Sequence, residues 1–232
     1  MRAAIYYTPP RADPLTRCAA DWLGRDAFTE LRTRQPDAVI DLFVTDAARY
    51  GFHATIKAPF RLAPGRALEE LAARLSTFSR NREGLDLGRL DVARLDGFFA
   101  LVPTRHQPNL AALEADVRVG FDEFRASLTE VEIRRRQPDR LTERQRQNLL
   151  RWGYPHVGAD FWFHMTLASA PAADPEARAM EEQLRAAFDP VLRRPAAIDA
   201  LALFVEPAPG EPFHVHSLHA LRAPIPIGVF AP

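Results

Sequence analysis

Two stretches of this 232-residue chain carry one pattern: Phe52-His53-Ala54-Thr55-Ile56 and Phe163-His164-Met165-Thr166-Leu167. Each reads aromatic, His, apolar, Thr, apolar. Side chains alternate between faces in an extended strand. His53 then shares a face with Thr55, and His164 with Thr166, while Phe52, Ala54, Ile56, Phe163, Met165 and Leu167 point the other way. A chain with both copies must bury two apolar strand faces and present two His-Thr faces. Strands facing each other would bring two imidazoles and two hydroxyls into one cleft.

The rest of the chain narrows the setting. Formal net charge is zero, so no overall field draws the protein to nucleic acid or membrane. Cys18 is the only cysteine, which excludes an internal disulfide and a four-Cys zinc site. Basic residues are almost all Arg, with Lys57 the one lysine. The apolar run at Ala3 to Tyr7 is too short for a signal peptide, and no stretch reaches membrane-spanning length. A soluble cytoplasmic protein is expected, with no obligate protein partner evident.

The order of elements repeats weakly. Ala3 to Tyr7 reads as a strand stopped by Pro9-Pro10, Pro14 to Leu23 as a helix ended near Gly24, and Val39 to Val44 as a strand. Tyr50 to Phe60 carries the first motif, followed by a Pro64-Gly65 turn. Leu68, Leu71, Ala72, Leu75 and Phe78 recur at helical spacing. Leu85 to Val102 holds two strand-like runs broken near Asp96-Gly97, and Leu110 to Phe124 marks a further helix. The second half begins with the motif strand Phe161 to Leu167. A helix over Pro175 to Phe188 follows, then strands over Ile198 to Val205 and Phe213 to Leu221, joined through Pro209-Gly210. Motif strand, helix, strand, strand thus occurs twice, a repeat of order and not of sequence. Between the halves, Arg134 to Trp152 is polar and Arg-rich without a counterpart, with Gln145 to Leu150 helical.

The motifs suit phosphoester chemistry. Histidine titrates near neutrality, so two imidazoles on opposite sides of a bond can act as base and acid in one displacement. Thr55 and Thr166 can hydrogen-bond non-bridging oxygens. By alternation Lys57 falls on the face of His53 and Thr55, where its ammonium would stabilise phosphoryl charge. Trp162 shares a face with His164, suited either to stacking on a base or sugar or to packing. Arg134-Arg135-Arg136, with Arg140 and Arg144, reads as a phosphate clamp or as a solvated charged loop. The scheme needs no metal and no cofactor.

His53-Ala54-Thr55-Ile56 and His164-Met165-Thr166-Leu167 resemble the paired H-x-T/S-x motifs of the 2H phosphoesterase superfamily. The wider context is Gly51 to Phe60, with Trp152-Gly153-Tyr154-Pro155 ahead of the second motif. It is similar to an uncharacterised branch of that superfamily associated with phosphonate-utilisation operons. The resemblance implies an α+β fold over residues 1–232. Two pseudo-twofold-related lobes of antiparallel sheet plus helices would flank a cleft, with Tyr154 in its lining. It also implies a metal-independent phosphoesterase or cyclic phosphodiesterase using His53 and His164. The substrate would be a small phosphorylated molecule, with a nucleotide or RNA end within its range. The motifs fix neither the substrate nor which histidine is the base.

Two rival readings remain open at this level. His214 and His216 form an H-x-H pair able to present two metal ligands on one strand face, although Ser217 and Leu218 stand where a carboxylate would complete a common pattern. A nucleotide or RNA-end binding module without turnover would also keep both motifs.

Overall fold

The computed structural model describes residues 1–223. A mixed α+β arrangement carries a large antiparallel sheet and, among the described residues, seven α-helices. The strands among the described residues are β1 (Arg2–Tyr7), β2 (Ala54–Phe60), β3 (Leu85–Gly88), β4 (Leu90–Leu95), β5 (Phe98–Pro103), β6 (Met165–Ser169), β7 (Ala196–Ile198), β8 (Ala200–Glu206) and β9 (His214–Ala220). Seven of them form one sheet in the order β4-β5-β6-β2-β1-β8-β9, and β3 pairs with β7 in a small ribbon. The helices are α1 (Pro14–Leu23), α2 (Ile40–Tyr50), α3 (Leu68–Arg80), α4 (Pro108–Gly120), α5 (Glu130–Arg135), α6 (Glu143–Trp152) and α7 (Asp174–Phe188).

Central strands read as they do because both faces are covered. Ala3 through Tyr7 and all of β8 are buried. Ala3, Ile5 and Tyr7 enter the main core with residues of α1, α2, α3, α4 and α7, whereas Ala4 and Tyr6 join a smaller cluster with Ala27, Phe204 and Phe213. The first strand therefore separates two packed layers. The apolar faces of both motifs, Phe52, Ala54, Ile56, Phe163, Met165 and Leu167, lie in the main core.

Local signals set most helix ends. Asp13 caps α1 through the Leu15 amide, Pro14 opens it, and Gly24 closes it in the left-handed conformation. Val39 to Val44, expected as a strand, is instead the start of helix α2. Asp37 accepts hydrogen bonds from the Val39 and Ile40 amides, each at 2.9 Å. Ile40, Phe43, Val44 and Ala47 then meet the core at helical spacing, while Leu42 stays exposed. A short apolar run does not distinguish strand from helix; the cap and the residues beyond it do.

Helix α2 delivers the chain to the first motif. Arg49 in its last turn and Arg2 at the start of β1 both pair with the buried Glu206 at the end of β8. That knot holds Tyr50-Gly51-Phe52-His53 against the sheet. The two motif strands, expected to face each other, are neighbours in one sheet. They pair at a single position, Ala54 with Met165. Beyond Ala54, β2 has no strand partner on that side among the described residues.

Candidate functional site

Both histidines sit one residue ahead of their strands, at His53 before β2 and His164 before β6. The antiparallel Ala54–Met165 pair fixes their relation. With alternation, it puts His53, Thr55, His164 and Thr166 on one face of the sheet, the face opposite the main core.

The two rings are held alike. His53 Nδ1 lies 2.8 Å from the Gly51 carbonyl oxygen, and His164 Nδ1 lies 2.9 Å from that of Trp162. A carbonyl only accepts, so each Nδ1 carries the proton and each neutral ring keeps a lone pair on Nε2. In both cases the partner is the residue two positions earlier. His53 Nε2 has the Thr55 hydroxyl at 3.3 Å.

Their surroundings differ. The His53 ring stacks on Tyr6 at 3.8 Å between centroids, with Tyr50 and Phe204 about it at 6.0 and 6.1 Å. Burial lowers its pKa to about 4; the Gly51 hydrogen bond opposes that shift, and the nearby charge of His164 adds to it. His164 has Phe98 at 5.3 Å and Trp162 at 6.2 Å, and the Trp162 side is open, with that residue 56% exposed. Burial lowers the His164 pKa too, against the Trp162 hydrogen bond and with the charge of His156.

Lys57 does not share the histidine face. Thr55 pairs with Tyr6, but Lys57 pairs with Ile5, because a β-bulge adds one residue to β2. Tyr6 and Ile5 belong to opposite layers, so the alternation is broken and Lys57 turns toward α4. Its Nζ donates to the Arg118 carbonyl at 3.2 Å and lies 3.6 Å from Asp122. Burial lowers its pKa to about 8, with Asp122 opposing and Arg125 and Arg118 reinforcing the shift.

A cavity of about 650 Å³ runs along the free edge of β2 and past Trp152, Gly153, Tyr154 and Val157. Lys57, Tyr154 and Arg135 line it, but neither histidine does. It adjoins the pair through Tyr50, which lines it and neighbours His53. The Arg-rich segment between the halves thus becomes, through α5 and the chain after α6, one wall of this cavity. Tyr6, Tyr50 and Arg49 escaped the sequence reading, whereas Arg136 belongs to the Arg134-Arg135-Arg136 run singled out there. Tyr50, three residues ahead of His53, was the one with a local signal.

His214 and His216 are not gathered with further ligands. Among the described residues no group of three or more His, Cys, Asp or Glu side chains is placed to hold a metal ion. His214 faces Glu30 at 3.8 Å. No helix among the described residues is long and apolar enough to cross a membrane.

Known proteins bear on this arrangement. Two curated proteins, both named Ribose 1,5-bisphosphate phosphokinase PhnN, are similar to the chain. One, from Janthinobacterium sp. (strain Marseille), is 36% identical over 224 residues, covering 91% of this chain and 49% of that protein. The other, from Laribacter hongkongensis (strain HLHK9), is 34% identical over 220 residues, covering 93% and 50%. The chain spans about half the length of these relatives. The crystal structure of TT0787 of Thermus thermophilus is 16% identical, with a TM-score of 0.46 over 96% of this chain and 99% of that one, a likeness too slight to argue from. A family model matches residues 55–214, starting two residues after His53 and taking in His164, so the chain belongs to the family described as Protein of unknown function (DUF1045).

Proposed function

We propose that the chain is a cytoplasmic, metal-independent phosphoesterase of the 2H type, acting on a small cyclic phosphate or phosphodiester in phosphonate metabolism. The observation that carries this reading is the matched anchoring of the two imidazoles. Each donates Nδ1–H to the carbonyl two residues back and leaves Nε2 unprotonated, on adjoining strands of one sheet. The order β4-β5-β6 answers β8-β1-β2 across the Ala54–Met165 pair, which fits a pseudo-twofold bilobal plan.

The difference in surroundings supports a division of roles. His53, more enclosed and with the pKa near 4, stays neutral and serves as base; His164, on the open side, serves as acid. Water attacks phosphorus and gives its proton to His53 Nε2. The bond from phosphorus to the leaving oxygen breaks as protonated His164 Nε2–H supplies that oxygen with a proton. One water is consumed and one P–O bond is cleaved, and solvent exchange resets both rings. The hydroxyls of Thr55 and Thr166 take the non-bridging oxygens, and Trp162 stacks on the leaving portion.

The relatives' name concerns phosphoryl transfer to a phosphorylated pentose, and a phosphokinase is the second reading. The chain's sequence weighs against it. A phosphate-cradling G-x-x-x-x-G-K-[ST] loop needs a Gly-Lys step, and the one lysine, Lys57, follows Ile56. Hydrolysis of a phosphopentose cyclic phosphate would instead yield a pentose bisphosphate of the kind that the name contains.

The test is turnover of a panel of cyclic phosphates in EDTA. Activity is expected to survive chelation, and His53→Ala and His164→Ala are each expected to lower kcat by roughly 10²- to 10⁴-fold. Loss in EDTA restored by zinc would turn attention to His214 and His216. An active His164→Ala enzyme would end the two-histidine mechanism.

A further inference from the structure

The cavity beside the histidines has a charge pattern that the acid/base step does not use. Eight Arg or Lys side chains line it and only two carboxylates do. The acids behind the wall are shared: Glu206 serves both Arg2 and Arg49, and Asp122 serves both Lys57 and Arg125. Arg135 and Arg136 have no acidic partner among the described residues, and Arg136 stacks on Tyr154 at 5.3 Å. The buried Arg49 Nε has no hydrogen-bond partner among the described residues. Uncompensated positive charge in a concave, part-apolar wall is a recognition site for a multiply charged anion.

Its position says how it would be used. Tyr50 and Tyr154 line the cavity, and Tyr50 is one of the aromatic neighbours of His53, with its ring 6.0 Å away. A molecule with one phosphodiester at the imidazoles would reach past Tyr50 into the cavity. We infer that this cavity is a subsite for a second phosphate, so that the substrate is a cyclic phosphate bearing a separate phosphate monoester. The inference rests on the two-histidine reading for the cyclic half alone. The lowered Lys57 pKa agrees with it, since burial is joined there by repulsion from Arg125 and Arg118, and a bound anion would relieve that repulsion.

Two measurements separate this subsite from the chemistry. The first is equilibrium binding of ribose 5-phosphate, with ribose as control, by calorimetry. Wild-type protein is expected to bind the phosphate and not the control. The double variant Arg135→Ala/Arg136→Ala is expected to bind it roughly 10- to 100-fold more weakly, and Arg135→Lys/Arg136→Lys to recover most of the loss. Equal binding by wild type and the Ala variant, or none by wild type, overturns the subsite. The second is turnover of adenosine 2′,3′-cyclic phosphate with and without a 5′-phosphate. A kcat/KM at least roughly 10-fold higher for the 5′-phosphorylated form, collapsing toward unity in the Ala variant, supports the subsite. Equal rates overturn it and leave the phosphoesterase reading standing. Binding of ribose 5-phosphate without turnover of any cyclic phosphate removes the phosphoesterase reading and leaves the anion subsite.

Discussion

The two motif copies hold their histidines in the same way and house them differently. Each imidazole is tied through Nδ1 to a carbonyl two residues earlier, so tautomer and ring plane are set by local backbone in both. Around His53, the layer built by Tyr6, Phe204 and Tyr50 encloses the ring. Around His164, the comparable space is left to Phe98 and an exposed Trp162. One local pattern used twice therefore yields two proton affinities. The difference comes from the second packed layer, which covers β1 and β8 but does not extend over β6.

The strongest way to break this comparison is at the carbonyls. Gly51 has φ +75° and ψ 170°, a region open in practice to glycine alone. A Cβ there would stand 2.6 Å from the Ala27 Cβ. Trp162, which does the same work for His164, is not among the positive-φ residues. Gly51→Ala is expected to cost about 1–3 kcal/mol in urea unfolding and to lower activity by shifting the carbonyl that orients His53. A neutral Gly51→Ala would mean that the first copy does not depend on this backbone.

The pH dependence of stability sharpens the same contrast. The folded-state pKa of His53 is about 4, below the usual histidine value of 6.5. Between pH 6.5 and about 4 the unfolded chain binds a proton that the folded protein does not, so stability falls as pH falls through that window. His164, His156 and His219 are lowered as well and add to the slope. His53→Gln is expected to flatten the fall in urea midpoint across that window more than His164→Gln does. Equal flattening would mean that the two rings are enclosed alike.

How much of this was legible beforehand follows from which interactions are local. Alternation in Phe52 to Ile56 and Phe163 to Leu167 named the apolar faces, and all six such residues reach the main core. Asp13, Pro14 and Gly24 bracket α1 within the chain itself. Val39 to Val44 misled because its six residues satisfy either period, and what makes it helical is Asp37 ahead of it and Ala47 beyond it. Lys57 misled because a bulge is a relation between strands: the extra residue shows only against Tyr6 and Ile5 on β1. Other cations of the cavity were hidden for the same reason. Arg2, Arg49 and Arg118 are far apart in sequence and meet Arg135 and Arg136 only once β1, α2, α4 and α5 are packed.

The smallest expected effect concerns the open side. Trp162 precedes β6 with its ring 6.2 Å from His164 and is 56% exposed. Little apolar area leaves water through it in the free protein, so Trp162→Ala should change stability by no more than about 0.5 kcal/mol. Its carbonyl, the part that anchors His164, survives the substitution, so the imidazole keeps its tautomer. What disappears is a flat surface beside the acid. If that surface holds the leaving portion of the substrate by stacking, worth roughly 1–3 kcal/mol for an aromatic base, KM should rise about 5- to 100-fold with kcat changed far less. The rise should be larger for a substrate with a base than for a bare sugar phosphate. An unchanged KM for both would show that Trp162 shields His164 without touching substrate. The contrast between the enclosed and the open histidine would then be one of solvent access alone.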